Sequence, residues 1–205
     1  TIVNRCQLNM IFPFEYKALV IGAHGAIGQA FVQAFQRDSH CLLVETVSRS
    51  PGGLFDLYDP ASIAAAASQI AASGPFHVIV DATGALIIDG IGPEKTMRAL
   101  RQESLMRSFQ VNAIGPALVL REFAPLLASG RTIYAKLSAR VGSIADNKLG
   151  GWYGYRASKA ALNMLLQTAA IELQRKNPEL RVVALQPGTV RSALSKPFAA
   201  SVEST

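Results

Sequence analysis

Short apolar runs alternate along the chain with stretches whose apolar residues recur every three or four positions. The run at 18–21 ends in glycines, after which Ile27, Ala30, Phe31, Ala34 and Phe35 share one helical face, so strand, turn and helix are expected in that order. Further strands are expected at 42–47, 78–80, 133–137 and 182–185, each short, apolar and β-branched in part. Helices are expected in the alanine-rich stretch 62–72, in two segments of 100–127 broken near Gly115 and Pro116, and at 157–173, where Leu162, Leu165, Leu166, Ala169 and Leu173 recur at helical spacing.

Such alternation implies a parallel sheet. Right-handed crossovers place helices on both faces, which gives a three-layer αβα plan: a Rossmann-type, doubly wound α/β fold with its ligand crevice at the carboxyl ends of the strands. No internal repeat or low-complexity linker interrupts the pattern, and 205 residues suit one domain of this kind. Residues 1–205 are therefore read as a single domain, with 1–15 a leader of unassigned role.

Composition narrows the function. Half the residues are hydrophobic and 17% are charged, which suits a sheet covered by helices rather than a disordered chain. The formal net charge is +6, yet the lysines and arginines are scattered, so a phosphate-bearing small cofactor explains the excess better than nucleic acid. Cys6 and Cys41 form no CxxC pair, and His24, His40 and His77 have no zinc spacing, so neither a disulfide scaffold nor a metal site is expected. No stretch approaches the roughly 18 apolar residues of a membrane span, and the first residues lack a signal-peptide pattern, so the expected location is cytoplasmic, with no membrane partner.

Residues 22–28 read GAHGAIG, which sets Gly22, Gly25 and Gly28 after a strand and at the start of an amphipathic helix. Glycines permit a tight turn and close backbone approach, while the free amides and positive dipole end of the helix can receive a pyrophosphate. After the second strand, Ser48 and Arg49 replace the acidic residue that binds an unphosphorylated adenosine ribose, and an arginine can pair with a 2′-phosphate. NADP(H) is thus preferred, with NAD(H) possible; Glu45, inside the strand, is the competing acidic residue.

Tyr155 and Lys159 stand four apart in YRASK, so they share a helix face, and the ammonium favours the phenolate. A tyrosine with a pKa of about 10 is a poor base at neutral pH, and a neighbouring cation moves it toward acid–base chemistry on a carbonyl or alcohol. Reduction then requires a hydride donor, which the glycine turn would hold.

In chain order, GAHGAIG, DATG, VNAIGP, LSARVGS, YRASK and PGTVRSALSKPF resemble the motifs of the short-chain dehydrogenase/reductase family over residues 17–198. The likeness is greatest to its carbonyl-reductase-like branch, which includes the C-signal and sniffer proteins. The resemblance implies that Tyr155 is the acid/base, Lys159 the ribose-binding residue that lowers its pKa, and Asn112 the support for proton relay. It implies cofactor contacts from the turn residues Gly22, His24, Gly25, Ile27 and Gly28, a 2′-phosphate grip by Ser48 and Arg49, and adenine contacts from Asp56 and Leu57. Ala82, Thr83 and Gly84 would lie beneath the cofactor, and Pro187, Gly188, Val190 and Ser192 would hold the nicotinamide carboxamide. The helices carrying Asn112 and Tyr155 resemble those that pair in family homodimers and homotetramers.

The sequence also departs from the pattern. Ala26 occupies a common glycine position, Asp81 and Arg191 are unusual, and Ala139 stands where the second serine of Ser-Ser-x-x-Gly would be. Ser138 or Ser143 must then polarise the substrate oxygen, and Ser138, at the strand end, is preferred. The chain stops soon after Phe198, so the substrate-covering helix and last strand of the family are expected to be absent. The expected activity is interconversion of a small-molecule carbonyl and alcohol by hydride transfer with NADP(H). The rival reading is a cofactor-binding regulatory or signalling protein of the same fold with little turnover.

Overall fold

In the computed structural model the described residues are 12–49 and 55–188. Ten elements follow one another: β1 (Tyr16–Ile21), α1 (Ala26–Gln36), β2 (Cys41–Val47), α2 (Pro60–Ile70), β3 (Val78–Asp81), α3 (Gln102–Phe109), α4 (Gly115–Phe123), β4 (Ile133–Leu137), α5 (Tyr153–Lys176) and β5 (Arg181–Leu185). The strands form one wholly parallel sheet in the order β2-β1-β3-β4-β5, and each expected strand is present.

The pleat divides the apolar strand residues between two cores. Leu19, Ile21, Ile79 and Tyr134 face Ile63 of α2, Val119 and Phe123 of α4, and Leu162 and Leu166 of α5. The alternate residues Ala18, Val20, Val78, Val80 and Ala135 face Phe35 of α1 on the other side. Helices therefore cover both faces, and the three-layer doubly wound plan is the one observed. Central strands buried on both faces explain why their sequences read as continuous apolar runs.

Two boundaries differ from the sequence reading, and both matter for the site. The break in 100–127 is a π-helical turn at Gln110–Ile114, while Gly115 and Pro116 begin α4, where proline's missing amide costs little. Helix α5 begins at Tyr153, so Tyr155 lies in its first turn. From β1 the chain runs outward to β2 and then returns to β3 on the opposite side of β1, which makes the carboxyl ends of β1 and β3 the topological switch point.

Candidate active site

The glycine turn sits at this switch point. Gly22 has φ +82°, and a Cβ there would stand 3.0 Å from the backbone carbon of Ala82, so the ends of β1 and β3 touch. A Cβ on Gly28 would lie 2.3 Å from the Gly22 carbonyl oxygen, which explains how α1 can start so close to the strand. Gly25 caps α1 without a side-chain hydrogen bond, leaving the first helical amides to an outside acceptor. The His24 amide donates to Ser48 Oγ at 3.2 Å, which ties the loop after β2 to the turn. Arg49 follows, exposed at the same edge. Glu45, within β2, accepts from Ser73 Oγ at 2.7 Å.

Beside the turn, the end of β3 is held by buried polar contacts. Asp81 Oδ1 accepts from the Thr83 amide at 2.9 Å and from Thr83 Oγ1 at 2.6 Å. Gly84, at φ +125°, has Asn112 and Lys159 against it: a Cβ would stand 3.0 Å from Asn112 Oδ1 and 3.2 Å from Lys159 Nζ. Asn112 comes from the π-helical turn, a feature frequent at functional sites. Both ends of its amide group bond Ala85, with Oδ1 accepting from the Ala85 amide at 3.0 Å and Nδ2 donating to the Ala85 carbonyl at 2.8 Å.

Tyr155 and Lys159 project from the first turns of α5 toward the same edge. Lys159 is only 3% exposed; its Nζ donates to the Leu137 carbonyl at 3.4 Å and lies 5.7 Å from the centre of the Tyr155 ring. Burial pushes its ammonium down to about 7, the Lys136 ammonium adds to the effect, and Asp81 opposes it. The expected lowering of the Tyr155 phenol is not what the structure shows: burial raises it, because desolvation disfavours the charged phenolate.

Ser138, expected to face a substrate oxygen, instead faces α5. It is buried, and its hydroxyl donates to Asn163 Oδ1 at 2.6 Å. Ser143, five residues on, lines a cleft of about 420 Å³ with Gly142, Tyr153 and Arg156. Its oxygen accepts from the Asp146 amide at 3.3 Å, which leaves its proton free to donate. Sequence reasoning missed Glu94: this carboxylate accepts from the Gly154 amide at 2.9 Å and caps the helix that carries Tyr155. Trp152, at the cap position itself, has φ 54° and supplies no side-chain cap.

The remaining expected contacts are spread around this centre. Leu57 packs on the α2/α4 core, and its carbonyl accepts from Gln110 Nε2 of the π-helical turn at 2.7 Å, while the neighbouring Asp56 is exposed. Ile27 is half-buried on α1, and Pro187 and Gly188 emerge exposed after β5. Val190 and Ser192 lie outside the described residues, as does the region in which the substrate-covering helix was expected to be missing.

Comparison with known proteins agrees with this layout. The sequence model of the short chain dehydrogenase family matches residues 51–203. A 1-hydroxy-2-glutathionyl-2-methyl-3-butene dehydrogenase of Rhodococcus sp. (strain AD45) is 28% identical over 172 residues, covering 83% of this chain and 71% of its own length. C-signal of Myxococcus xanthus is 41% identical over 98 residues, covering 46% of this chain and 57% of its own length. Among solved structures, an NADPH-bound carbonyl reductase from chicken fatty liver superposes with a TM-score of 0.75 at 26% identity, covering 88% of this chain and 78% of its own. The fold, the glycine turn at the switch point and the family match over three-quarters of the chain lead to one conclusion: this protein belongs to the short-chain dehydrogenase family of oxidoreductases.

Proposed function

We propose that the chain interconverts a small-molecule carbonyl and its alcohol by hydride transfer with NADP(H), using Tyr155 as acid/base. The observation that carries this reading is the convergence of Tyr155 and Lys159, from the first turns of α5, on the sheet edge that bears the glycine turn. The residues fit a dinucleotide: uncapped amides of α1 for the pyrophosphate, a close-packed Gly22/Gly28 turn, and exposed Arg49 to pair with a 2′-phosphate. Ala82, Thr83 and Gly84 form the floor beside that turn. When bound, the dinucleotide supplies the hydride.

The chain's own groups do the rest. In reduction, Tyr155 donates its proton to the carbonyl oxygen as negative charge develops there. Ser143 takes the hydrogen-bond donor role first expected of Ser138, because the Ser138 proton is committed to Asn163. Lys159 would hold the ribose of the dinucleotide and, when protonated, favour the Tyr155 phenolate. Asn112, with both amide atoms on Ala85, acts as a positioning residue that keeps Gly84 against Lys159 rather than as a carrier of protons.

A homodimer or homotetramer is the expected assembly, supported by an apolar groove between α4 and α5 lined by Leu120, Leu165, Leu166, Ala169 and Leu173. No helix among the described residues is long and apolar enough to cross a membrane; a cytoplasmic location is part of the proposal. The regulatory reading draws on Ala139 and on the committed Ser138 hydroxyl. Titration of the protein with NADPH and NADH, followed by cofactor fluorescence, tests the cofactor assignment. NADPH should bind more tightly, and Arg49→Ala should erase the preference; equal binding in both proteins would remove Arg49 from the site.

A further inference from the structure

Asp81 and Lys136 are charged residues inside two central strands, both fully buried, with Lys136 Nζ 3.0 Å from Asp81 Oδ1. Such a pair is a poor way to gain stability, since desolvation of both ions offsets their attraction and well-packed neutral side chains do as well. What the pair touches is more informative. Lys136 Nζ also donates to the Thr83 carbonyl at 2.6 Å and to Thr83 Oγ1 at 3.0 Å, while Asp81 accepts from the Thr83 amide and hydroxyl. The turn after β3 is thereby fixed from β4.

That turn borders both halves of the site, with Gly22 against Ala82 and Lys159 Nζ against Gly84. Lys159 in turn donates to the carbonyl of Leu137, the residue after Lys136, so two buried ammonium groups bracket the ends of β3 and β4. The titratable groups around Lys136 are Asp81 from β3, Tyr134 from its own strand, whose hydroxyl reaches toward Asp81 Oδ2 at 3.5 Å, and Lys159 with Tyr155 from α5.

We propose that the Asp81–Lys136 pair is a positioning device for the proton-transfer site. Lys136 fixes the Thr83 and Gly84 backbone on which Gly22 and Lys159 rest, and its charge biases the Tyr155–Lys159 pair toward releasing a proton. The inference rests on the reading of Tyr155 and Lys159 as that pair. It agrees with the order of effects on Lys159, where Lys136 is the largest influence after burial and Asp81 opposes it less.

The test replaces both charges by amides, Asp81→Asn with Lys136→Asn, so that no lone ion is left buried. Two readouts are followed: the alkaline limb of the pH profile of kcat/KM for carbonyl reduction, and the Nζ resonance of Lys159 in the cofactor-free protein, assigned with Lys159→Met. Both should move to higher pH, by less than the roughly one unit that a lone neighbouring charge produces, because the Asp81 carboxylate removed with Lys136 opposes it in part. A folded double variant with an unmoved limb and resonance overturns the proposal. If the double variant does not fold, Lys136→Gln alone is read by the same two measurements: a limb and resonance moved to higher pH support the proposal, and an unmoved pair overturns it. Full activity in Tyr155→Phe would instead defeat the underlying reading, whatever the double variant does.

Discussion

Replacing Gly28 with alanine strikes the point where the glycine turn meets α1. The added Cβ would stand 2.3 Å from the Gly22 carbonyl oxygen and 2.9 Å from Ala23 Cα, both backbone atoms of the turn, so no flexible side chain can give way. Overpacking of this kind costs about 1–3 kcal/mol, offset by up to about 1 kcal/mol from alanine's better helix propensity. A net loss of about 1–2 kcal/mol lowers the melting temperature by roughly 2–8 °C for a chain of this size. Moving the turn also moves the α1 amides, and NADPH affinity should fall at least about tenfold, equivalent to ~1.4 kcal/mol. Gly25→Ala is the control: Gly25 has φ −71°, and its Cβ would meet Gly22 O at an ordinary 3.5 Å, so its fold should be unaffected. Calorimetric melts and NADPH titrations of the three proteins check this. Wild-type melting and affinity in Gly28→Ala would refute the argument that close backbone approach is what this glycine provides.

Two other consequences are open to measurement. Ser143→Ala should lower kcat by about 10²–10³, the usual effect of removing one donor to a developing oxyanion, whereas Ser138→Ala should mainly cost stability by releasing Asn163; the reverse ranking in steady-state kinetics would return the role to Ser138. The buried Lys159 makes stability depend on pH. Its folded value is pushed down to about 7, while an unfolded lysine keeps its proton to about 10.4, so between these limits the unfolded chain binds more protons and stability rises with pH, by at most about 1.4 kcal/mol per unit. Below about pH 7 both states carry the proton and the full cost of burying it remains. Urea midpoints of the wild type should therefore climb with pH across this window relative to Lys159→Met, and parallel curves would contradict the placement of the charge.

Much of this was legible in the sequence because the relevant signals are local. The apolar runs of β1, β3 and β4 and the helical spacing in α1 and α5 follow from burial on both faces of a parallel sheet, and glycines at a strand-to-helix junction mark the turn. Other features depend on contacts between distant segments. The direction in which Ser138 points is set by Asn163, 25 residues away, and no local pattern reports it. Glu94 caps α5 across 60 residues, in place of a cap that Trp152 cannot supply. The break at Gln110–Ile114 carries no proline or glycine, so the eye falls on Gly115 and Pro116 instead. One signal was available and under-used: a lysine in IYAKL and an aspartate ending VIVD are charges within apolar strands, and each needs a partner in the interior. The Tyr155 phenol shows the limit of reasoning from spacing. Four residues along a helix place the ammonium near the ring, but burial decides the sign of the shift.

Under the proposed function, Tyr155 delivers a proton while hydride passes from the dinucleotide to a carbonyl carbon. The most direct test of that function is to supply NADPH deuterated at the transferred position together with a panel of aldehydes and ketones, and to analyse the products by mass spectrometry. The account predicts one deuterium on the carbinol carbon of the alcohol formed by the wild type, and a loss of about 10²–10⁴ in rate for Tyr155→Phe, the range of general acid catalysis. A protein that binds NADPH yet transfers no deuterium to any carbonyl, or a Tyr155→Phe variant that transfers it at the wild-type rate, would contradict it.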